Sequence, residues 1–126
     1  MLSLTDYNHL KLLYDNFFKS NAHIRELILA DDWDSVDVAI QEKEGLIRQI
    51  IFFEKARLED VKANKELMSL RKQLVELEKD NIQLVKSIKE DFFKQLSSIK
   101  KAKKVLNTYE PITNHVVSTF EVSDFE

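Results

Sequence analysis

His23 and Glu26 stand three residues apart, a spacing that puts an imidazole and a carboxylate on one face of a helix. A carboxylate-bridged metal centre in a helical bundle takes Glu-x-x-His from each of two helices and two further glutamates. Only one reversed half is present, so a surface histidine is the favoured reading. His9 and His115 have no paired carboxylates at ligand spacing. The stretch Asp32-Trp33-Asp34-Ser35-Val36-Asp37 has the acidity of a calcium loop, but position 5 would be Val36, position 6 Asp37 in place of glycine, and position 12 Lys43 in place of glutamate. Its short carboxylates suit the capping of a helix start instead. Lys94, Lys100, Lys101, Lys103 and Lys104 have no acid between Lys94 and Lys104 and could meet phosphate or an acidic protein, yet at the end of a long helix they also complement its negative terminus.

No Ser-His-Asp or lysine-based constellation stands out, and one glycine in 126 residues leaves few tight turns from which to build an oxyanion hole or a phosphate loop. The chain is expected to be no enzyme and to hold no cofactor or metal. Without cysteine there is no disulfide framework and no zinc-thiolate site, which fits a reducing compartment. A formal net charge of -3 argues against a dedicated nucleic-acid binder. The longest apolar run, Ile50-Ile51-Phe52-Phe53, is far below the ~20 residues that span a bilayer, and residues 1–6 lack the features of a signal peptide. The expected location is the cytoplasm.

The elements around these residues are helices, since one Gly and one Pro with 33% charged and 44% hydrophobic residues leave little room for strands and hairpins. Ser3-Leu4-Thr5-Asp6 offers caps to a first helix over about residues 5 to 30, with the stripe Tyr7, Leu10, Tyr14, Phe17, Asn21, Ile24 and Ile28. Asp31-Asp32-Trp33-Asp34 interrupts it, with Trp33 expected to anchor the corner. A second helix then carries Val36, Ile40, Lys43, Ile47, Ile50, Glu54, Leu58 and Val61, widened by Leu46, Ile51 and Phe53 into two apolar faces that require two neighbours. Gly45, inside it, would mark a place where another helix comes close. Only Asn64 offers a cap at the next boundary, which separates the second and third helices, with a single continuous helix as the alternative.

Beyond it Leu67, Leu70, Leu74, Leu77, Asn81, Leu84 and Ile88 alternate steps of 3 and 4, a coiled-coil-like seam continued by Phe92, Leu96, Ile99, Ala102 and Leu106. In such a seam Asn81 would fix register or partner number. Pro111 places the end of this helix near Asn107. The expected fold is all-α: an antiparallel bundle of three long helices over residues 1–111, the third the longest, followed by an apolar, acidic tail, extended or partly ordered, over 112–126.

Taken at 1.5 Å per residue, these helices measure ~39, ~45 and ~64 Å. The third outruns its partners, and covering even three of its side chains would contribute roughly 1.5 to 3 kcal/mol each. Leu84, Ile88, Phe92, Phe93, Leu96, Ile99, Val105 and Leu106 are therefore the candidate surface for a partner helix, the chain's own tail or a second copy.

Several stretches resemble the flagellar type III export chaperones of the FlgN/FliT type. They are Leu12-Leu13-Tyr14-Asp15-Asn16-Phe17-Phe18, Ala30-Asp31-Asp32-Trp33-Asp34, Gln41-Glu42-Lys43-Glu44-Gly45-Leu46-Ile47, Glu78-Lys79-Asp80-Asn81-Ile82-Gln83-Leu84 and Val105-Leu106-Asn107-Thr108-Tyr109-Glu110-Pro111. The resemblance covers about residues 4 to 111. It implies a non-enzymatic helical protein that binds the C-terminal helical segment of a hook-filament junction protein or the filament cap, hides it from premature assembly and offers it to the export apparatus. The client is expected on the later helices, and Tyr109 matches a tyrosine associated with export-gate contact. The apolar tail departs from the pattern. The alternative reading of the same residues is a dimeric coiled-coil structural or adaptor protein; a chaperone is expected to be a monomer or a weak homodimer.

Overall fold

The computed structural model describes the backbone of residues 1–95 and the side chains of residues 1–91. It is all-α. Helix α1 spans Leu4–Leu29, α2 Trp33–Ala56, α3 Leu58–Lys62 and α4 Lys65–Gln95. The expected end of the last helix, the tail, the lysines from Lys100 to Lys104, and His115 lie outside the described residues, as do Leu96, Ile99, Val105, Leu106 and Tyr109 and the side chains of Phe92 and Phe93.

Each boundary has a local cause. Ser3 Oγ accepts the Asp6 N–H at 3.0 Å and opens α1. At the corner Asp31 takes a left-handed φ of 60°, a conformation to which aspartate is better suited than most residues. Its Oδ1 accepts from the Trp33 indole, while Asp32 caps α2 through the Ser35 N–H. The acidic stretch thus serves as a helix cap, and Trp33 is a buried corner anchor.

The second helix does not run through to Val61. It stops at Ala56 because Arg57 leaves helical geometry, with φ −134° and ψ 31°. The Arg57 guanidinium lies 3.8 Å over the Phe53 ring, bonds the Phe53 carbonyl and pairs with Asp6 at 2.9 Å, contacts that tie the break to the start of α1. After the single-turn α3, Asn64 Oδ1 accepts the Leu67 N–H at 3.0 Å, so the second and third long helices are separate and Asn64 caps the latter. Gly45 marks no close helix: a Cβ there would meet only Arg48 Nη2, at 3.8 Å.

Helices α1 and α4 run parallel, since contacts advance together from Lys11 with Glu66 to Asn21 with Asn81. Helix α2 is antiparallel to both: its Glu54 meets Tyr14 and Arg71, and its earlier Lys43 meets Asn21 and Glu78. One apolar cluster centres on Leu10, Tyr14, Phe17, Ile50, Leu67 and Leu74. A second holds Ile24, Ile28, Trp33, Val36, Ile40 and Val85. Burying each of these larger side chains contributes roughly 1.5 to 3 kcal/mol.

Candidate functional site

Polar side chains divide the interior, and they are held by all three long helices. Lys43 Nζ and Glu78 Oε1 are 2.5 Å apart, with the two residues 1% and 0% exposed. Lys43 also reaches Asn21 Oδ1 at 3.3 Å, and that same oxygen accepts from Asn81 Nδ2 at 2.8 Å. Asn81 Nδ2 further donates to the Asn21 carbonyl, and Asn81 Oδ1 receives Arg25 Nη1 at 3.4 Å. A hydrogen-bonded line thus runs from a buried ion pair to the surface of α1. Glu78 Oε2 has no hydrogen-bond partner among the described residues. Burial pushes the Glu78 carboxyl above the ordinary glutamate range, with Lys43 opposing it.

One heptad back along α4, Arg71 forks onto Glu54, Nε to Oε2 at 3.0 Å and Nη2 to Oε1 at 3.4 Å. The Tyr14 hydroxyl donates to the same Oε2. Burial again raises the Glu54 carboxyl, opposed by Arg71 and Tyr14, and raises the Tyr14 hydroxyl as well. These groups are locked to one another, which suits register and not catalysis.

Beside the Asn21–Asn81 bond the surface opens into a groove of 510 Å³ between α1 and α4. Phe18, Ala22 and Arg25 line the α1 wall, and Leu77, Asp80, Gln83, Leu84 and Ser87 the α4 wall, with Asn21 and Asn81 between them. Leu77 is 40% exposed in a helix whose other aliphatic side chains, among those described, are buried or half-buried. The groove is an apolar trough with a polar floor.

The leucine seam is rotated from its expected position. The most buried line of α4 is Leu67, Arg71, Leu74, Glu78, Asn81 and Val85, while Leu70, Leu84 and Ile88 are half-buried at its side and Leu77 is exposed. Of the candidate client residues with described side chains, Leu84 and Ile88 pack partly against the second core cluster, and Leu84 also lines the groove. Phe18, Ala22 and Arg25 were not legible as groove residues, because they acquire that role only from α4, more than 50 positions away. No group of three or more His, Asp or Glu able to hold a metal occurs among the described residues, and none of their helices is long and apolar enough to cross a membrane.

No protein-family model matches the chain, and neither does any curated protein or solved structure.

Proposed function

We propose that this chain is a binding module that sequesters an amphipathic helix, and specifically an export chaperone of the FlgN/FliT type holding the C-terminal helical segment of a hook-filament junction or filament-cap protein. The three long helices act as an antiparallel bundle whose last member presents the client surface in the groove around Leu77 and Leu84, and the candidate client residues Phe92, Phe93 and Leu96 follow these two in sequence. The observation that carries this reading is the apolar trough beside Leu77, whose side chain stands 40% exposed on α4. The dimeric coiled-coil alternative has less support, since Leu67, Leu74 and Asn81 of its seam are already covered within the chain.

The test is calorimetric titration of the full chain with purified C-terminal helical segments of junction and cap proteins from the same source. One segment should bind at one per chain, and Leu77→Asp and Phe92→Asp should each weaken it at least ~10-fold, the equivalent of losing one buried leucine or phenylalanine. Absence of binding by every segment, or unchanged affinity in both variants, refutes the proposal.

A further inference from the structure

The groove carries charge as well as apolar surface, and the charge is divided between its walls. Arg25 projects from α1 and is exposed; one of its N–H groups makes the 3.4 Å bond to Asn81. A guanidinium has five such donors in a fork that matches a carboxylate. Asp80 stands exposed on the α4 wall. Phe18, Ala22, Leu77 and Leu84 supply the apolar surface between them. From Leu77 to Ser87 the trough is ~15 Å long, the length of three helical turns. Ten residues line it, against the roughly 20–30 a side of a standard protein interface, so the size suits one short helix and not a second copy of the chain.

Resting on the sequestration reading above, we infer that the groove selects its partner by flank charge: the bound helix presents an apolar i, i+3, i+4, i+7 stripe to Leu77 and Leu84, a carboxylate to Arg25 and a basic side chain to Asp80. Because the two charged walls are different helices, the pattern also fixes the direction in which a given partner lies. A helix with one acidic and one basic flank satisfies both walls at once, whereas a helix with like-charged flanks opposes one of them.

The probes are three synthetic peptides of roughly 18 residues, long enough for marginal helicity, with the same leucine stripe. One has glutamates on one flank and lysines on the other, the second lysines on both, the third glutamates on both. Titrated against the full chain at low salt, the mixed peptide should bind tightest, by roughly two- to fivefold. In Arg25→Glu the all-lysine peptide should become tightest, and in Asp80→Lys the all-glutamate one. Leu77→Asp should abolish binding of all three, locating them in the groove. If Leu77→Asp does so but the ranking ignores both charge reversals, the flank assignment fails and the sequestration reading stands. If none of the peptides binds the parent chain, or all bind Leu77→Asp unchanged, the groove is not a helix site and the inference fails with it; client titration then judges the sequestration reading separately. A stable dimer in sedimentation that Leu77→Asp dissociates puts a second copy in the trough and overturns the assignment.

Discussion

Replacing Glu78 by Leu leaves the Lys43 ammonium buried with the neutral Asn21 carbonyl oxygen at 3.3 Å in place of a carboxylate at 2.5 Å. Removing one partner of a buried pair costs about 3–5 kcal/mol, because the remaining charge keeps its desolvation penalty. Lys43→Met has a similar cost, and more clearly so because Glu78 Oε2 already lacks a partner and would be joined by Oε1. Against a total stability of about 5–15 kcal/mol, either single change removes a large fraction. The double variant Lys43→Met with Glu78→Leu removes both charges and keeps the volume, so it should fall within about 1 kcal/mol of the parent or exceed it. Urea unfolding followed by far-ultraviolet circular dichroism measures all four chains. With a slope of roughly 1.5 kcal/mol per molar, each single variant should lower the midpoint by ~2–3 M and the double should restore it. Additivity of the two single effects to within about 0.5 kcal/mol would mean that the residues do not interact, and the description of the interior would be wrong.

Gly45→Ala should raise stability by about 0.5–1 kcal/mol in calorimetry, since the added methyl meets only Arg48 Nη2 at 3.8 Å and the helix loses its most flexible residue; a lower melting temperature would reveal a close neighbour there. Glu54 and Glu78 both have raised carboxyls, so the folded chain binds these protons more tightly than the unfolded one. Their stabilisation is fully present below the ordinary value of 4.5 and is lost as pH rises through the raised folded values. The melting temperature should therefore be higher near pH ~5 than near ~7.5 at constant ionic strength, and the paired change Lys43→Met with Glu78→Leu, which removes one of the two carboxyls without stranding a charge, should reduce that difference. An unaltered slope in the paired variant would show that other groups set it.

The sequence disclosed the first two long helices with their inward faces, including Asn21, Lys43 and Glu54, because each polar residue sat at helical spacing among large apolar ones. It misplaced the inward face of α4, where leucines at 70, 77 and 84 gave a stronger apolar rhythm than Arg71 and Glu78. Those two are inside because their counter-charges reside 17 and 35 positions away on α2, a fact no local window contains. The break at Arg57 was hidden for a related reason: its determinants are Asp6 on α1 and the ring of Phe53, with neither Gly nor Pro to signal a stop. Asn64 was the one local mark of the next start. Of the groove, Leu84 stands among the candidate client residues and Leu77 and Asn81 on the expected seam, while the α1 wall depends on which helix comes to lie beside them.

The order of the two interior ion pairs has a consequence for misfolding. Along α2 the sequence reads cation at Lys43 then anion at Glu54, and along α4 cation at Arg71 then anion at Glu78, seven residues apart. Were α4 to slide by one heptad, its leucines would still find apolar holes. In one direction Glu78 would confront Glu54 and Val85 would confront Lys43; in the other Arg71 would confront Lys43. Each mistake buries like charges or strands a lone one at a cost of several kcal/mol. The arrangement works as a combination lock with one open setting, and a chain rich in interchangeable leucines is thereby denied its easiest wrong alignments.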